Sequence, residues 1–103
     1  MSFLNFLFGG GDTVDLKSLI DEGAFLVDVR SPGEFASGHV KGSINIPLDS
    51  VQAQISKFKD KKHIIVFCRS GNRSGMAKNI LEQNGFKNVV NGGTWDRVNL
   101  FVS

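Results

Sequence analysis

An apolar run that leads directly into a polar, glycine-containing loop constrains this chain more than any other feature. Residues 63–67 read His-Ile-Ile-Val-Phe, and residues 68–75 read Cys-Arg-Ser-Gly-Asn-Arg-Ser-Gly. Four consecutive large apolar side chains are typical of a strand that is buried on both faces. Such a strand needs a covering layer on each side, which indicates a sheet with helices above and below it.

Helix-like and strand-like segments alternate along the rest of the chain. Apolar residues at helical spacing predict helices over residues 15–22, over residues 51–58 and from about Arg73 to Gly85, with a last short helix that carries Trp95 and Val98. Short apolar runs predict further strands near residues 25–29, 44–46 and 86–90, with turns at Ser31-Pro32-Gly33 and Gly92-Gly93. This order favours a three-layer α/β domain, with a mostly parallel central sheet of about five short strands and helices on both faces.

The length and charge of the chain narrow the class of protein. The chain has 103 residues, which corresponds to one domain, and its net charge of +2 is too small for a nucleic-acid-binding face. It contains neither a run of about 20 apolar residues that would span a membrane nor the basic start and long apolar stretch of an export signal. We therefore expect a cytoplasmic protein with no nucleic-acid partner and no membrane span.

The first eleven residues form a segment of their own. Residues 1–11 are rich in apolar side chains and end in a Gly triplet that serves as a flexible joint, so the main domain runs over residues 12–103. Five of the six residues from Phe3 to Phe8 are large and apolar. We expect this segment to pack as a short helix on its own domain or on a second copy of the chain, which would give a homodimer.

Cys68 is the only cysteine, and it lies directly after the predicted buried strand. A single cysteine excludes an internal disulfide and lacks the sulfur partners of a structural zinc site, so we expect neither a metal nor a cofactor. Taken alone, such a cysteine is most often an inert core residue. Here the residues after it favour a reactive thiolate, because Arg69 and Arg73 supply positive charge, Gly71 lets the loop amides converge, and a helix N-terminus follows.

Several motifs in a fixed order make the chain similar to a known family. They are Phe25-Leu26-Val27-Asp28-Val29-Arg30, Glu34-Phe35, Gly38-His39-Val40 with Gly42, Ser43-Ile44-Asn45-Ile46-Pro47, the loop from Cys68 to Arg73, and Gly92-Gly93 with Trp95. Each motif is weak alone, but together and at this spacing they are specific. From about Val14 to Trp95 the chain resembles a single-domain rhodanese, which is a sulfurtransferase, and residues 12–103 are then a rhodanese-like domain.

The resemblance implies a two-step sulfur transfer that needs no cofactor. The Cys68 thiolate attacks the outer sulfur of thiosulfate or of a persulfide donor, and an acceptor thiol, cyanide or a partner protein then takes that sulfur from the Cys68 persulfide. The anionic donor and the persulfide would be held by the five residues that follow, which are Arg69, Ser70, Gly71, Asn72 and Arg73. Three further residues are expected to support this loop, namely Asp28, Arg30 and Ser74.

Arg30 has two interpretations. It lies just past a strand end, on the same rim as Cys68, where it would help to define the pocket edge. We favour the alternative, a structural ion pair with Glu34 across the following turn. Asp28 is expected to accept backbone N–H groups or to face a loop arginine, and the resemblance gives His39 a structural place rather than the role of a base.

Two other functions remain open from the sequence. One is a non-catalytic carrier that receives its persulfide from a partner protein. The other is a cysteine-based phosphatase or an arsenate reductase. Protein phosphatases of this kind have five residues between the cysteine and the arginine, and usually a histidine before the cysteine. Here four residues separate Cys68 from Arg73 and Phe67 precedes the cysteine, so the smaller loop favours a sulfur atom over a phosphoryl group.

Overall fold

The computed structural model describes residues 15–102 of the chain. The segment from Phe3 to Phe8, and with it the expected short helix and homodimer, lies outside the described residues. Within residues 15–102 no helix is both long and apolar enough to cross a membrane.

Helices and strands alternate along the described chain. The helices are α1 (Leu16–Asp21), α2 (Pro32–Ala36), α3 (Asn72–Gln83) and α4 (Trp95–Asn99), with two 3₁₀ segments at Leu48–Ser50 and Ile55–Phe58. The strands are β1 (Phe25–Asp28), β2 (Ile44–Asn45), β3 (Ile64–Cys68) and β4 (Val89–Thr94). The predicted α/β class is therefore confirmed.

The strands form one parallel sheet in the order β2-β1-β3-β4. The parallel arrangement is as predicted, although the described residues contain four strands rather than about five. β3 lies inside the sheet, so its carboxyl end is flanked by the carboxyl ends of β1 and β4. In open parallel sheets ligands bind beyond the carboxyl ends of the strands, which makes this edge the expected place for a site.

Both faces of the sheet are buried at its inner strands, and β3 shows this most clearly. Its side chains alternate between two apolar clusters, with Ile64, Val66 and Cys68 on one face and Ile65 and Phe67 on the other. The first face packs under α3 and the 3₁₀ segments, and the second packs under α1 and α4. The two covering layers explain why residues 64–67 are all apolar, with no alternation between apolar and polar side chains.

The helix predicted over residues 51–58 is wrong. Gln54 lies outside the helical region, with φ −109° and ψ 27°, and the short 3₁₀ segments Leu48–Ser50 and Ile55–Phe58 lie on either side of it. Val51 and Phe58 are nevertheless fully buried. The apolar spacing therefore correctly predicted that Val51 and Phe58 face the core. Side chains at this spacing can face the core without the hydrogen bonds of a continuous α-helix.

The turn predicted at residues 31–33 begins a helix instead. The Ser31 hydroxyl accepts the Glu34 N–H, and the Glu34 carboxylate accepts the Ser31 N–H, which together form a capping box. Pro32 occupies the first turn of α2, where the missing N–H is not needed. This cap fixes the Glu34 side chain at the start of α2.

β4 continues through Gly92 and Gly93, where the sequence predicted a turn. The register between β4 and β3 shifts at this point, so that Gly92 is the extra residue of a bulge. A Cβ at Gly92 would lie 2.7 Å from Val98 Cγ2 and 2.9 Å from Ile65 Cγ2. Only a glycine at this position allows α4 to pack this closely on the sheet.

Candidate active site

Cys68 is the last residue of β3, at the carboxyl edge of the sheet. The chain then turns through residues 69–71 and enters α3 at Asn72. Gly71 caps the helix with φ +96°, a left-handed conformation that glycine adopts without strain. This turn brings the amides at the start of α3 back to the sulfur of Cys68.

The sulfur atom of Cys68 is surrounded by hydrogen-bond donors. The Gly71 N–H donates to it over 3.0 Å and the Ser74 N–H over 3.4 Å, and the Ser74 hydroxyl oxygen lies 3.5 Å away. The residue itself is fully buried, and it belongs to the apolar cluster under α3. The site therefore joins an apolar base to a ring of polar groups around one atom, an arrangement that binds anions.

These donors decide how readily Cys68 ionises. Burial raises the pKa of the thiol, but a hydrogen bond with the Ser74 hydroxyl and hydrogen bonds from the amides of Ser74, Gly71 and Ser70 outweigh burial and lower the pKa below its ordinary value. Apart from the Ser74 side chain, the stabilisation comes from backbone N–H groups of the loop and of the start of α3. A thiol of this kind is ionised closer to neutral pH, where the thiolate is the nucleophile.

The two loop arginines are placed differently. Arg69 is exposed, whereas Arg73 donates to both carboxylate oxygens of Glu34, over 2.7 Å and 3.0 Å. The hydrogen bonds of this pair raise the pKa of Arg73 and, with further hydrogen bonds from Ser31, hold the pKa of Glu34 far below its ordinary range. Glu34, which the sequence did not place at the site, thus balances the charge of one of the two expected cations.

The other loop residues divide into an outer and an inner pair. Ser70 and Asn72 are exposed, and the Asn72 N–H donates to the Ser70 hydroxyl over 3.4 Å. Ser74 is fully buried, and its hydroxyl lies 3.1 Å from the Gly71 carbonyl oxygen. Of the predicted loop, the structure therefore gathers Gly71 and Ser74 at the sulfur and leaves Ser70 and Asn72 side chains at the surface.

Asn91 on β4 is a part of the site that the sequence did not reveal. Its Oδ1 lies 2.7 Å from the Ser74 hydroxyl, and its Nδ2 lies 3.4 Å from the Gly71 carbonyl oxygen. The signal was present: Asn91 follows Val89 by two positions on a strand, so it shares the face of β4 that packs with Cys68. Recognising it required knowing that β4 lies beside β3.

A buried charged pair lies at the carboxyl end of β1. Asp28 has no exposed surface and Arg30 only 4%. Arg30 donates to both carboxylate oxygens, from Nη2 over 2.7 Å and from Nε over 2.9 Å and 3.0 Å, and its backbone N–H donates over 2.9 Å. The expected pairing of Arg30 with Glu34 is wrong. Arg30 pairs instead with Asp28, two residues away at the same strand end, and Glu34 pairs with Arg73.

Arg30 also lines an open cleft of about 440 Å³ beside the Cys68 loop. Its guanidinium lies 4.6 Å from the centre of the Trp95 ring, and its Nη2 donates to the Gly38 carbonyl over 2.7 Å. Arg30 is therefore part of a structural ion pair, with Asp28 rather than the expected Glu34, and it also lines the cleft. The cleft is lined by Arg30, Glu34, Ser37, Arg69, Trp95 and Asp96.

His39 packs on α2. Its ring stacks on that of Phe35 with the centres 3.8 Å apart, and Nδ1 lies 2.8 Å from the Phe35 carbonyl oxygen. These contacts fit the structural place that the resemblance gave it.

Comparison with known proteins agrees with this geometry. The sequence model of the rhodanese-like domain family matches residues 12–94. The thiosulfate sulfurtransferase PspE of Escherichia coli is 41% identical over 69 residues, which cover 65% of this chain and 66% of that protein. The thiosulfate sulfurtransferase GlpE of Pseudomonas syringae is 37% identical over 79 residues, which cover 75% of this chain and 74% of that protein. This chain spans from 38% to 66% of the length of the first curated relatives that it matches.

Solved structures show the same fold. A rhodanese from Escherichia coli, determined with anions, superposes with a TM-score of 0.66 at 36% identity, covering 73% of this chain and 91% of that one. The human single-domain sulfurtransferase TSTD1 gives a TM-score of 0.67 at 28% identity, covering 80% of this chain and 87% of that one. The family match, the parallel sheet and the loop after β3 lead to one conclusion, that this chain belongs to the rhodanese-like domain family.

Proposed function

We propose that the protein is a sulfurtransferase that carries a sulfane sulfur on Cys68. The observation that carries the proposal is the set of amide donors around the Cys68 sulfur, which favours an anion at a buried position. Relatives such as PspE and GlpE are named thiosulfate sulfurtransferases, which supports thiosulfate as a donor.

The chemistry proceeds in two displacement steps. The Cys68 thiolate attacks the outer sulfur of thiosulfate, a bond forms between the two sulfurs, and the S–S bond of thiosulfate breaks with its electron pair leaving on sulfite. An acceptor thiolate or cyanide then attacks the terminal sulfur of the Cys68 persulfide, and the pair of that S–S bond returns to Cys68. A persulfide donor reacts in the same way and releases a thiolate. The balance requires no added oxidant or reductant, and the kinetics are ping-pong.

The residues around the sulfur perform separate tasks in these steps. The amides of Gly71 and Ser74 stabilise the Cys68 thiolate before it attacks the donor, and again when it is released as the leaving group in the second step. Arg69, which is exposed and lines the cleft, draws the anionic donor toward the loop. Arg73 is held by Glu34, so its task is to fix the start of α3 against α2, with a smaller share in donor binding.

Mass spectrometry tests the covalent step. The full chain is incubated with thiosulfate, the excess is removed, and the peptide containing Cys68 is examined for one added sulfur atom. Addition of cyanide should remove that sulfur and release thiocyanate in equal amount. The Cys68→Ser variant is the matched control, since it keeps the volume and removes the thiol. A peptide that stays unmodified under thiosulfate and under a small persulfide would contradict the proposal.

The same assays separate the proposal from the two alternatives. A persulfide carrier accepts sulfur only from a partner protein and shows no steady turnover with thiosulfate and cyanide. A phosphatase hydrolyses an aryl phosphate in a manner that depends on Cys68. The four-residue spacing between Cys68 and Arg73 supports sulfur transfer over phosphoryl transfer, because the cradle is smaller.

A further inference from the structure

We propose that Asn91 is a positioning residue which controls, through the Ser74 hydroxyl, how readily the sulfur of Cys68 becomes an anion. The proposal deepens the sulfur-transfer function and rests on it, since it concerns the same nucleophile. Asn91 on β4 lies opposite Val66 on β3, and Val66 is two residues before Cys68. Asn91 therefore contacts the loop after Cys68 from the neighbouring strand, although it is not part of that loop.

The orientation of the Asn91 amide is fixed by two backbone groups. The Gly93 N–H donates to Asn91 Oδ1 over 2.9 Å, and a backbone N–H has no capacity to accept. On the other side, Asn91 Nδ2 faces the Gly71 carbonyl oxygen at 3.4 Å, and a carbonyl has no capacity to donate. The atom nearest Ser74 is therefore the amide oxygen.

This orientation determines where the Ser74 proton points. Ser74 Oγ lies 2.7 Å from Asn91 Oδ1, and two oxygens at this distance need a proton between them. Since the amide oxygen has none, the Ser74 hydroxyl supplies its only proton to Asn91, which lies closer than the other acceptor, the Gly71 carbonyl oxygen at 3.1 Å. The Ser74 oxygen then faces the sulfur 3.5 Å away with lone pairs, so in this orientation it accepts the S–H of the neutral thiol and directs no proton at a thiolate.

Forming the thiolate requires the hydroxyl to exchange partners. When Cys68 loses its proton, the Ser74 hydroxyl gains by turning from Asn91 Oδ1 to the sulfur, and Asn91 keeps the Gly93 N–H. Ser74 has no exposed surface, so solvent does not reach the hydroxyl to replace either partner. The strength of the bond between Ser74 and Asn91 is therefore subtracted from the stabilisation that the hydroxyl gives to the anion.

The charged groups around the sulfur come from three elements. Arg69 lies in the loop, Arg73 lies on α3, and Asp28 with Arg30 lies at the end of β1. Arg73 interacts electrostatically with Cys68, and all four residues remain in place in the Asn91 variants. Their effects cancel when a variant is compared with the wild type.

Two substitutions at Asn91 are expected to move the ionisation of Cys68 in opposite directions. Asn91→Leu keeps the branched shape and removes the nearer of the two competing acceptors, while the Gly71 carbonyl oxygen remains, so the fraction of thiolate at a fixed pH below the midpoint should rise on the order of threefold. Asn91→Asp keeps an oxygen for Ser74 and Gly93 but makes it a stronger acceptor, so the thiolate fraction should fall. The readout is the ultraviolet absorbance of the thiolate against pH, with Cys68→Ser as the blank.

A double-substitution cycle with Ser74→Ala shows whether Asn91 acts through the hydroxyl. In the Ser74→Ala background the Asn91→Leu shift should vanish, and the Asn91→Asp shift should shrink to the direct effect of its added charge. Shifts of equal size with and without Ser74, or shifts of the same sign for both Asn91 variants, would overturn the proposal. If Asn91→Leu fails to fold, Asn91→Asp still tests the proposal, because it keeps the acceptor for Ser74 and Gly93 and loses only the contact with the Gly71 carbonyl oxygen. No sulfur donor enters this titration, so its outcome is independent of whether Cys68 transfers sulfur.

Discussion

The carboxyl ends of β1 and β3 each stabilise a buried ionisable side chain, but with different partners. Each ends in a buried ionisable residue, Asp28 on β1 and Cys68 on β3, and the two strands are neighbours in the sheet. Asp28 is paired with a full cation, because Arg30 contacts both oxygens of its carboxylate. Cys68 is surrounded by partial charges, the N–H groups of Gly71 and Ser74.

The difference separates a group that must stay charged from a group that must react. A buried carboxylate with a bidentate guanidinium is held in one geometry, and removing either partner leaves an uncompensated charge. Amide dipoles stabilise an anion without forming a pair that must be broken when a sulfur is gained or released. The end of β1 therefore supports the edge of the sheet, and the end of β3 carries the chemistry.

The largest expected effect is at the reactive end. Cys68→Ser should lower turnover of thiosulfate with cyanide on the order of 10³-fold or more, because a serine hydroxyl does not ionise near neutral pH. The free energy of unfolding of the same variant should lie within about 1 kcal/mol of the wild-type value at pH 7, since the volume and burial of the side chain are nearly kept. Denaturant unfolding and the turnover assay give the two numbers. Retention of even a tenth of the activity would assign the nucleophile to another residue.

The next effect is at the structural end and falls on stability. Arg30→Met should lower the free energy of unfolding by about 3–5 kcal/mol, because Asp28 is then buried without a counter-charge. Lys17→Met is the matched control, since it breaks an ion pair with Asp21 that is exposed. Denaturant unfolding of both variants should show a large loss for the first and little change for the second. Equal losses would mean that burial does not distinguish the two pairs.

The two ends also differ in how far the sequence predicts them. The apolar run and the loop after it predict β3, the following helix and the convergence of amides on Cys68, because all of these are local. The parallel α/β order follows from alternation along the chain. Asp28 accepts a backbone N–H as expected, since its partner is only two residues away.

Partners that come from distant elements were not predictable in this way. Glu34 reaches Arg73 across 39 residues of sequence, and Asn91 reaches Ser74 across 17. Both contacts depend on how α2 and β4 are placed against the loop, which periodicity does not contain. The same limit explains the wrong pairing of Arg30 with Glu34, because two carboxylates compete for one guanidinium and only the three-dimensional distances decide.

The third effect is the pH dependence of the reactive end. The pKa of Cys68 is lowered in the folded protein, so between that value and the unfolded value of about 8.5 the folded state binds fewer protons than the unfolded state. The contribution of Cys68 to stability is therefore complete above the unfolded pKa and is lost as pH falls through the folded pKa. Across this window wild-type stability should rise with pH relative to Cys68→Ser by at most about 1.4 kcal/mol per pH unit.

The alkylation rate of Cys68 supplies the matching kinetic measurement. Reaction with iodoacetamide should fall by about tenfold for each pH unit below the folded pKa, because only the thiolate reacts. The midpoint should lie below that of a small model thiol measured under the same conditions. A midpoint above the model thiol would show that burial, and not the donor ring, dominates at this sulfur.

The smallest effect concerns the ion pair that links the two ends, Glu34 at the start of α2 with Arg73 on α3. Glu34→Gln preserves the cap on Ser31, since glutamine also serves in a capping box, and it releases the charge of Arg73 toward the loop. The KM for thiosulfate should fall about two- to fivefold with little change in kcat, and the gain should shrink as salt is added. Glu22→Gln removes the same charge at a surface position paired with Lys62 and His63, away from the Cys68 loop, and it controls for the change in net charge. If both variants lower KM equally, Arg73 has no local share in donor binding, and the chemistry at β3 depends on backbone dipoles and Arg69.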